Sequence, residues 1–402
     1  MKILVVNAGS SSLKYQLIEM DTEEVICKGL VEKIGIEGSN ICHKFNGREK
    51  VIETPIHDHT QALDLVMQCL VDKEVGVINS VDEISAIGHR VVQSGEAFKA
   101  SSYVGDEEMV KLESIAHLAP LHNPAHNACI KSCKSILPNV PNVVVFDTGF
   151  HATMPDKAKM YGVPYEWYEK YQIRRYGAHG TSHKFVSQEA INYLKANNLP
   201  YENIVTCHLG NGSSISAVKN GKCVDTSMGM TPLAGVMMGT RCGDLDPFVV
   251  EMMCNNLGAS VGEVLTILNK KSGFLGVSGV SSDARALYKA AGEGNPRALL
   301  ATEMFAYQVK KYIGSYSAAM NGLDCVVFTG GIGENSTEFR EAILKDMEFF
   351  GINADMDANK TARGKFFDLT MEGSKVRVLI IPTNEELVIA RETKEIVEGM
   401  AK

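Results

Sequence analysis

Two short segments rich in glycine and serine have the composition of phosphate-binding turns. Residues 7–12 read Asn-Ala-Gly-Ser-Ser-Ser after the apolar run 3–6, and residues 210–214 read Gly-Asn-Gly-Ser-Ser after the strand-like run 204–209. Turns of this kind expose backbone N–H groups and hydroxyls without a bulky side chain in the way. Either one alone is typical of an ordinary hairpin turn. Their recurrence in the two halves of the chain predicts two related domains that face one nucleotide.

A third glycine-rich segment, Gly330-Gly331-Ile332-Gly333, follows the apolar run 325–329. The helix expected to start here would offer N–H groups to an anion. Its glycine spacing differs from that of the Rossmann fingerprint, and the chain contains no Gly-Lys-Ser or Gly-Lys-Thr of a Walker A motif. A phosphate site built from these turns is therefore not of the P-loop kind.

Two arginines lie in apolar surroundings next to glycines. Arg90 ends the sequence Gly-His-Arg after an apolar run, and Arg241 ends Gly-Thr-Arg among small residues. A guanidinium in such a place can hold a carboxylate or a phosphoryl group in a fixed fork. A surface salt bridge is the ordinary alternative, and we favour the functional interpretation for both.

Two carboxylates follow apolar runs that read as buried strands. Asp147 comes directly after the run 143–146, and Glu385 lies shortly after the run 376–381. A carboxylate at the end of a strand near a phosphate turn is a natural magnesium ligand, directly or through water. A helix N-cap for Asp147 and a first-turn helix charge for Glu385 are equally consistent with the spacing.

The histidines indicate a catalytic or metal-binding site less clearly. His179 lies in a glycine-flanked loop, where a lone histidine is more often a structural hydrogen-bonding residue than a catalyst. His122 and His126 have the spacing of a metal-binding pair on a helix, but Pro124 between them weakens that interpretation.

The ten cysteines are scattered singly, and only Cys129 and Cys133 lie close together. Without a Cys-x-x-Cys pair, this pattern indicates reduced structural thiols and predicts neither disulfides nor a zinc site.

Length and charge exclude several classes of protein. A chain of 402 residues is expected to form two domains. The net charge of −8 and the absence of a Lys/Arg cluster argue against nucleic-acid binding. Neither a signal peptide nor an apolar run of about 20 residues occurs, so the sequence predicts a cytoplasmic protein without membrane contact.

The apolar pattern predicts elements that position these residues. Runs 2–6, 14–19 and 24–31 read as an antiparallel meander, and a second meander begins at 204–209. Further strands are expected at 84–90, 143–146, 325–329 and 376–381, and helices at 59–71 and 387–398. We therefore expect one domain over 1–150 plus 385–402, with a returning C-terminal helix, and a second domain over 151–384.

Taken together, the motifs resemble the acetate kinase family of the acetate and sugar kinase/Hsp70/actin superfamily. The resemblance covers residues 3 to about 390, and the ordered set of segments makes it specific. The segments that carry it are 7–12, 88–92, 147–151, 174–177, 179–183, 208–214, 225–229, 239–241, 283–285, 330–335 and 384–386.

The resemblance implies an α/β, duplicated ribonuclease H-like (actin-like ATPase) fold, with a mixed β-sheet in each of two domains and an interdomain cleft. The first domain would serve the acyl substrate and the metal, and the second would bind the nucleotide. The implied reaction is reversible Mg²⁺-dependent phosphoryl transfer from ATP to acetate, a phosphotransfer to a carboxyl group that gives acetyl phosphate and ADP. Mn²⁺ could replace Mg²⁺, and the family is homodimeric.

The resemblance also implies roles for single residues. Asn7 and Glu385 would serve the metal, Arg90 would bind the substrate carboxylate, and Asp147, His179 and Arg241 would be catalytic. The apolar pocket for the acetyl methyl group would be formed by Val92, Leu121 and Pro232. The nucleotide would be contacted by Lys14, His208, Leu209, Gly210, Asn211, Gly212, Asp283, Ala284, Arg285, Gly331, Ile332, Gly333, Glu334 and Asn335.

The chemistry explains these residue types. A carboxylate is already an anionic nucleophile at neutral pH, so direct in-line transfer needs no general base. What remains is to bring two anions together and to neutralise the developing charge, which arginines, a histidine and a metal can do. Asp147 is then better interpreted as a positioning group for metal or arginine than as a proton acceptor.

One departure concerns the methyl pocket. The family usually has phenylalanine before the catalytic histidine, whereas this chain has Ala178. We expect a larger pocket and weaker discrimination between acetate and propionate, since one methylene is worth about 1–3 kcal/mol. A propionate or butyrate kinase is therefore the first alternative. A sugar-kinase-like or actin-like ATP-binding protein is the second, and a hydroxamate assay for acyl phosphate separates these possibilities.

Overall fold

The computed structural model describes residues 1–120 and 122–400. The chain divides into two compact units, which we call the first unit (Met1–Gly149 with Asn384–Lys402) and the second unit (Phe150–Thr383). These bounds lie one residue before those expected from the sequence. The interdomain cleft that the resemblance implies stays a prediction.

Fourteen strands form in the described residues. Those of the first unit are β1 (Lys2–Ala8), β2 (Ser12–Glu19), β3 (Glu24–Glu32), β4 (Asn40–Phe45), β5 (Arg48–Glu53), β6 (Ile84–Val91), β7 (Ser102–Tyr103) and β8 (Asn142–Phe146). Those of the second unit are β9 (Asn203–Leu209), β10 (Ser213–Lys219), β11 (Lys222–Thr226), β12 (Cys325–Thr329), β13 (Phe367–Asp368) and β14 (Arg377–Ile380).

Fifteen α-helices accompany them in the same described residues. The first unit begins with α1 (His59–Val71), α2 (Asp106–Ser114) and α3 (Asn123–Ile136). The second unit contains α4 (Asp156–Lys159), α5 (Tyr165–Tyr171), α6 (Gly180–Ala196), α7 (Phe248–Leu257), α8 (Val261–Lys270), α9 (Gly273–Ser278), α10 (Ala284–Gly292), α11 (Pro296–Met320), α12 (Gly330–Asn335), α13 (Thr337–Leu344) and α14 (Met356–Asn359). The last helix, α15 (Glu385–Met400), returns to the first unit.

The first sheet has the strand order β5-β4-β3-β2-β1-β6-β8-β7. Strands β1 to β5 form an antiparallel meander, whereas β1, β6 and β8 run parallel to one another. The predicted meander of three strands is thus confirmed and continues through two more. Because the carboxyl ends of parallel strands meet at one edge, this sheet brings together the residues that follow β1, β6 and β8.

The second sheet repeats the plan of the first. Its order is β11-β10-β9-β12-β14-β13, in which β9 to β11 form an antiparallel meander. Strands β9, β12 and β14 run parallel, as β1, β6 and β8 do. The shared order of three meander strands and two parallel strands is the internal duplication that the sequence predicted.

Alternating side chains fix which helices cover the first sheet. Leu4 and Val6 of β1 pack in the core cluster that includes α1 and α3 residues, whereas Ile3 and Val5 pack with Ile389 of α15. Since successive residues of a strand point to opposite faces, the sheet is covered on both sides. In the second unit, α11 covers one face of the sheet and α6 the other. None of the described helices has both the length and the apolar content of a membrane-spanning helix.

Candidate active-site groups of the two units

In the first unit, three polar side chains meet where the parallel strands end. Arg90 near the end of β6 donates from Nε to Asp147 Oδ1 at 3.0 Å and from Nη2 to the other carboxylate oxygen. Its Nη1 lies 3.3 Å from Oδ1 of Asn7, near the end of β1. The Asp147 side chain is only 2 % exposed, and that of Arg90 is 23 % exposed. The guanidinium therefore compensates the burial of Asp147, and the negative charge of Asp147 raises the pKa of Arg90.

This geometry selects between the alternatives for Asp147. Its backbone N–H donates to Val91 O at 2.9 Å, which extends the pairing of β6 and β8 to the polar residues beyond the strands. Both carboxylate oxygens accept hydrogen bonds from Arg90, so Asp147 acts as an arginine-positioning group.

Glu385 is the first residue of α15 and faces the same cluster. Burial raises its pKa to about 7, the negative charge of Asp147 adds to this effect, and Arg90 opposes it. Asn384 Oδ1 accepts from Leu387 N at 3.1 Å, so the start of the helix is capped without Glu385. One guanidinium thus faces two carboxylates. This excess of negative charge on oxygen ligands is what a hard divalent cation would relieve.

The other residues predicted in the first unit have separate surroundings. Lys14 on β2 pairs directly opposite Asn7 and lines, with Glu386, a groove of about 510 Å³ on the sheet. It does not belong to the nucleotide pocket of the second unit described below. Val92 follows β6 directly and is half-buried. Leu121 lies outside the described residues.

In the second unit, His179 is held in a chain of hydrogen bonds. It precedes α6 in a left-handed backbone conformation (φ 58°), and its Nδ1 lies 2.8 Å from Ser214 Oγ. The same hydroxyl lies 2.7 Å from Nε2 of His183, whose Nδ1 is 2.7 Å from Thr206 Oγ1. Burial lowers the pKa of His183 far below its usual value, so this ring is neutral. This series of hydrogen bonds fixes the orientation of the His179 ring. The ring also stacks on that of His208, with 4.2 Å between the ring centroids.

Gly212 lies where His179 and Arg241 converge. A Cβ at this position would be 2.9 Å from Arg241 Nη2 and 3.4 Å from His179 Nε2. Arg241 donates from Nη1 to Pro232 O at 2.7 Å, so Pro232 holds the guanidinium through its carbonyl. The described residues place no carboxylate within ion-pair distance of Arg241, and burial lowers its pKa. A half-buried guanidinium without a carboxylate partner, beside a glycine that has no side chain to block it, fits an anionic ligand.

The nucleotide-binding prediction concentrates at one pocket of the second unit. Its volume is about 1050 Å³, at the upper end for ligand pockets. Eight of the predicted residues line it: Gly210, Asn211, Asp283, Ala284, Arg285, Gly331, Ile332 and Asn335.

The remaining predicted nucleotide residues of the second unit do not line this pocket. Leu209 is fully buried in the core, and the Gly333 backbone is also buried. His208 stacks on His179, and Gly212 lies beside Arg241. Lining of the pocket therefore gives no support to the predicted nucleotide contacts of these four residues.

Glu334 binds backbone N–H groups of its own unit, and its nucleotide contact stays a prediction. Its Oε1 accepts from Gly330 N at 2.9 Å and from Thr383 N at 3.2 Å. The N–H group at the start of α12 that was expected to face an anion is thus bound by the chain's own carboxylate. Gly330 itself is required, because its φ is +76° and a Cβ would lie 2.7 Å from Leu209 O.

The residues Asp283 and Arg285 form the rim of the pocket. Asp283 caps α10 by accepting from the backbone N of Arg285 at 2.8 Å, and it pairs with the Arg285 guanidinium. The side-chain hydrogen bond from Arg285 lowers the pKa of Asp283 to about 2. Arg285 is 92 % exposed, so its guanidinium is open to solvent at the pocket mouth.

Sequence reasoning missed several residues of this pocket. Tyr288 and Lys289 lie three and four positions after Arg285 on α10, so helical spacing from Arg285 was a usable signal. Arg363 comes from a distant loop, and no local pattern points to it. The full set that was missed is Ser282, Tyr288, Lys289, Ser336, Glu338 and Arg363.

The sequence predicts an enlarged methyl pocket beside Ala178, and the size of that pocket stays a prediction. Its side chain is buried and packs with Met228 and Met238 in a small apolar cluster. Methionine side chains thus fill the space beside the small residue, and a phenylalanine ring here would have to displace one of them.

Comparison with known proteins identifies the family of this chain. The model of the acetokinase family matches residues 2–391. An acetate kinase of Clostridium acetobutylicum is 55% identical over 404 residues, which cover 99% of this chain and 99% of that protein. The crystal structure of Porphyromonas gingivalis acetate kinase matches with a TM-score of 0.94 at 46% identity, covering 98% of this chain and 99% of that one. A propionate kinase from Francisella tularensis matches with a TM-score of 0.90 at 40% identity over the same shares. The chain belongs to the acetokinase family.

Proposed function

We propose that this protein catalyses the reversible transfer of the γ-phosphoryl group of ATP to acetate, giving acetyl phosphate and ADP. The observation that carries the proposal is the cluster of Arg90, Asp147 and Glu385, in which one guanidinium faces two carboxylates. The family and the 55% identity to an acetate kinase support the same reaction.

The acceptor needs no general base. The carboxylate of acetate is ionised at neutral pH and can attack phosphorus directly. Asp147 accepts from Nε and Nη2 of Arg90 with its two oxygens and has no role in removing a proton. Instead, it fixes the guanidinium, whose remaining N–H groups bind the substrate carboxylate. The resemblance adds Val92, Leu121 and Pro232 as apolar contacts to the methyl group, and these contacts stay a prediction.

Arg241 and His179 act on the transferred phosphoryl group. Charge grows on the phosphoryl oxygens in the transition state, and the half-buried guanidinium of Arg241, which has no carboxylate partner, stabilises that charge. Ser214 holds the His179 ring through Nδ1, which leaves the Nε2 side next to Gly212. The absence of a side chain at Gly212 lets the phosphoryl group approach both residues.

A divalent cation, Mg²⁺ or Mn²⁺, fits the first-unit cluster. Glu385 and Asn7 would hold it, since both offer oxygen ligands and lie at the same cluster. When bound, the cation supplies positive charge to the phosphate oxygens. The pocket around Asn211 and Gly331 takes the nucleotide.

The protein is expected to form a homodimer in a reducing compartment such as the cytoplasm. Helices α7 and α8, which pack together, expose the apolar residues Phe248, Met252, Leu257, Val261 and Leu265. A surface of this kind is suited to burial against a second copy. All ten cysteines are free thiols, which favours a reducing compartment.

Acyl phosphate formation tests the proposal directly. The full-length protein is incubated with ATP, Mg²⁺ and either acetate or propionate, and acyl phosphate is trapped as the hydroxamate. We expect acetate to be preferred in kcat/KM by about 10-fold or more, because Met228 and Met238 fill the space beside Ala178. No hydroxamate with either acid would overturn the proposal, and a preference for propionate would overturn the substrate assignment.

A further inference from the structure

Three soft metal-ligating groups meet inside the first unit, away from the oxygen ligands discussed above. They are His89 on β6 and Cys129 and Cys133 on α3, all of which are buried with at most 2 % exposure. One ring nitrogen and the two sulfur atoms all lie within 4.8 Å of one another. No local sequence pattern indicates this cluster, because the histidine comes from a strand far from the two cysteines along the chain.

The fold explains how these groups meet. Cys129 and Cys133 are four residues apart and therefore share one face of α3, which packs against β6. His89 and Arg90 are neighbours on a strand, so their side chains point to opposite faces of the sheet. The cluster thus lies on the face of the sheet that α3 covers, while Arg90 reaches Asp147 on the opposite face.

A hydrogen bond with Asn142 orients the ring of His89. Asn142 Nδ2 donates to Val140 O at 2.9 Å, which leaves Asn142 Oδ1 as an acceptor. That oxygen lies 2.7 Å from Nε2 of His89, so Nε2 carries the proton. Nδ1 is therefore the ring atom with a lone pair for a ligand. Metal-binding histidines characteristically donate their other N–H to such a partner.

We propose that His89 Nδ1, Cys129 Sγ and Cys133 Sγ form a binding site for one thiophilic metal ion, Zn²⁺. Binding replaces the thiol protons, which are released to solvent, and two thiolates cancel the charge of the ion. A neutral complex is what a buried site requires. Two sulfurs and one imidazole are a known zinc ligand set with an open fourth position. The cluster has no fourth His, Cys, Asp or Glu ligand among the described residues, so this position is left to a small molecule such as water.

The site would tie β6 to α3. Since β6 also carries Arg90, metal binding would stabilise the strand that holds the acyl-binding group, without any part in phosphoryl transfer. A metal bound by the folded state alone raises the stability of the fold.

The experiment uses the full-length protein, with Mg²⁺ in excess so that oxygen-ligand sites are filled. Zn²⁺ is titrated under reducing conditions against a chromophoric chelator, and Co²⁺ serves as a spectroscopic probe. We expect one tight Zn²⁺ per chain, a higher melting temperature, and a thiolate-to-cobalt absorption band that an oxygen-ligand site cannot give. Cys129→Ala and Cys133→Ala are each expected to weaken Zn²⁺ binding about 100-fold or more. The matched control Cys69→Ala removes another buried thiol of the same unit and is expected to bind as the wild type does.

Several results would overturn the proposal. These are the absence of a thiolate band in the wild type, unchanged binding in either cluster variant, or equal loss of binding in Cys69→Ala. If a cysteine variant does not fold, His89→Gln and X-ray absorption of the zinc-loaded wild type replace it, with two sulfur ligands and one nitrogen ligand expected. Tighter binding of Cu(I) than of Zn²⁺ with the same dependence on the variants would overturn the assignment to zinc.

Discussion

Replacing Gly212 by alanine tests whether the absence of a side chain at this position is needed for catalysis. The added Cβ would lie 2.9 Å from Arg241 Nη2, about 0.6 Å inside ordinary contact distance. Arg241 is held at Nη1 by Pro232 O at 2.7 Å, so the guanidinium must shift against that bond. A misplacement of this size is expected to lower kcat about 10- to 100-fold, or about 1.4–2.7 kcal/mol in activation free energy.

Initial rates of hydroxamate formation measure this effect. The KM for acetate is expected to stay within about threefold of the wild type, because the acetate-binding Arg90 belongs to the other sheet. Gly212 does not have a positive φ, so the melting temperature is expected to change by less than about 3 °C. Gly162→Ala is the matched control, since no atom lies within 4 Å of its added Cβ. A kcat for Gly212→Ala within about twofold of the wild type, with the fold intact, would refute the reasoning.

Four further predictions concern other groups. Arg90→Ala is expected to raise the KM for acetate about 10-fold or more, and Arg241→Ala to lower kcat about 10²- to 10³-fold, both measured by steady-state kinetics. The buried ring of His183 stays neutral in the folded state, whereas in the unfolded chain it binds a proton near pH 6.5. Its contribution to the free energy of unfolding is therefore fully present above pH 6.5 and is lost as the pH falls below this value. Between pH 7 and 5 the wild type should therefore lose about 2 kcal/mol more stability than His183→Gln, measured by urea unfolding. The double variant Phe248→Glu and Met252→Glu is expected to be monomeric in light scattering, because it places charge on the exposed face of α7.

Each of these predictions has a control and a contradicting result. Near-native kinetics for either arginine variant would contradict its assigned function. His117→Gln removes an exposed histidine and should leave the dependence of stability on pH unchanged. If the free energy of unfolding fell equally with pH in His183→Gln and in the wild type, another group would be responsible for the loss of stability in acid. Val110→Glu adds the same charge to an exposed apolar position of the first unit and should leave the oligomeric state unchanged. A dimer that survives the double variant on α7 would remove that helix from the interface.

Features that depend on neighbouring residues were determined by the sequence. The predicted helix 59–71 has the same bounds as α1, and the run 325–329 has those of β12. Hydrophobic periodicity and glycine placement are local properties, so they identify strands, turns and the polar residues that follow them. The second meander and its relation to the first could be predicted for the same reason. The strands β4 and β5 were missed because β5 is mostly polar and exposed, without the apolar pattern of a buried strand.

Partnerships across the chain were decided only by the tertiary structure. The sequence left Asp147 between a helix cap, a metal ligand and an arginine partner, and the parallel pairing of β6 and β8 selected the arginine. Glu334 lies in a glycine-rich segment that suggested nucleotide contact, yet its carboxylate binds the backbone of its own helix. Side chains that are distant along the chain meet only when strands pair and helices pack, and spacing does not encode those pairings.

Cys129 and Cys133 show most clearly which features the sequence determines and which depend on the tertiary structure. The sequence determined that Cys129 and Cys133 share a helix face, and from these two alone a metal site was not expected. Only the packing of α3 on β6 brings the nitrogen of His89 to the two sulfurs. Chemistry at this site depends on distances between side chains, and those distances are properties of the folded core rather than of any segment.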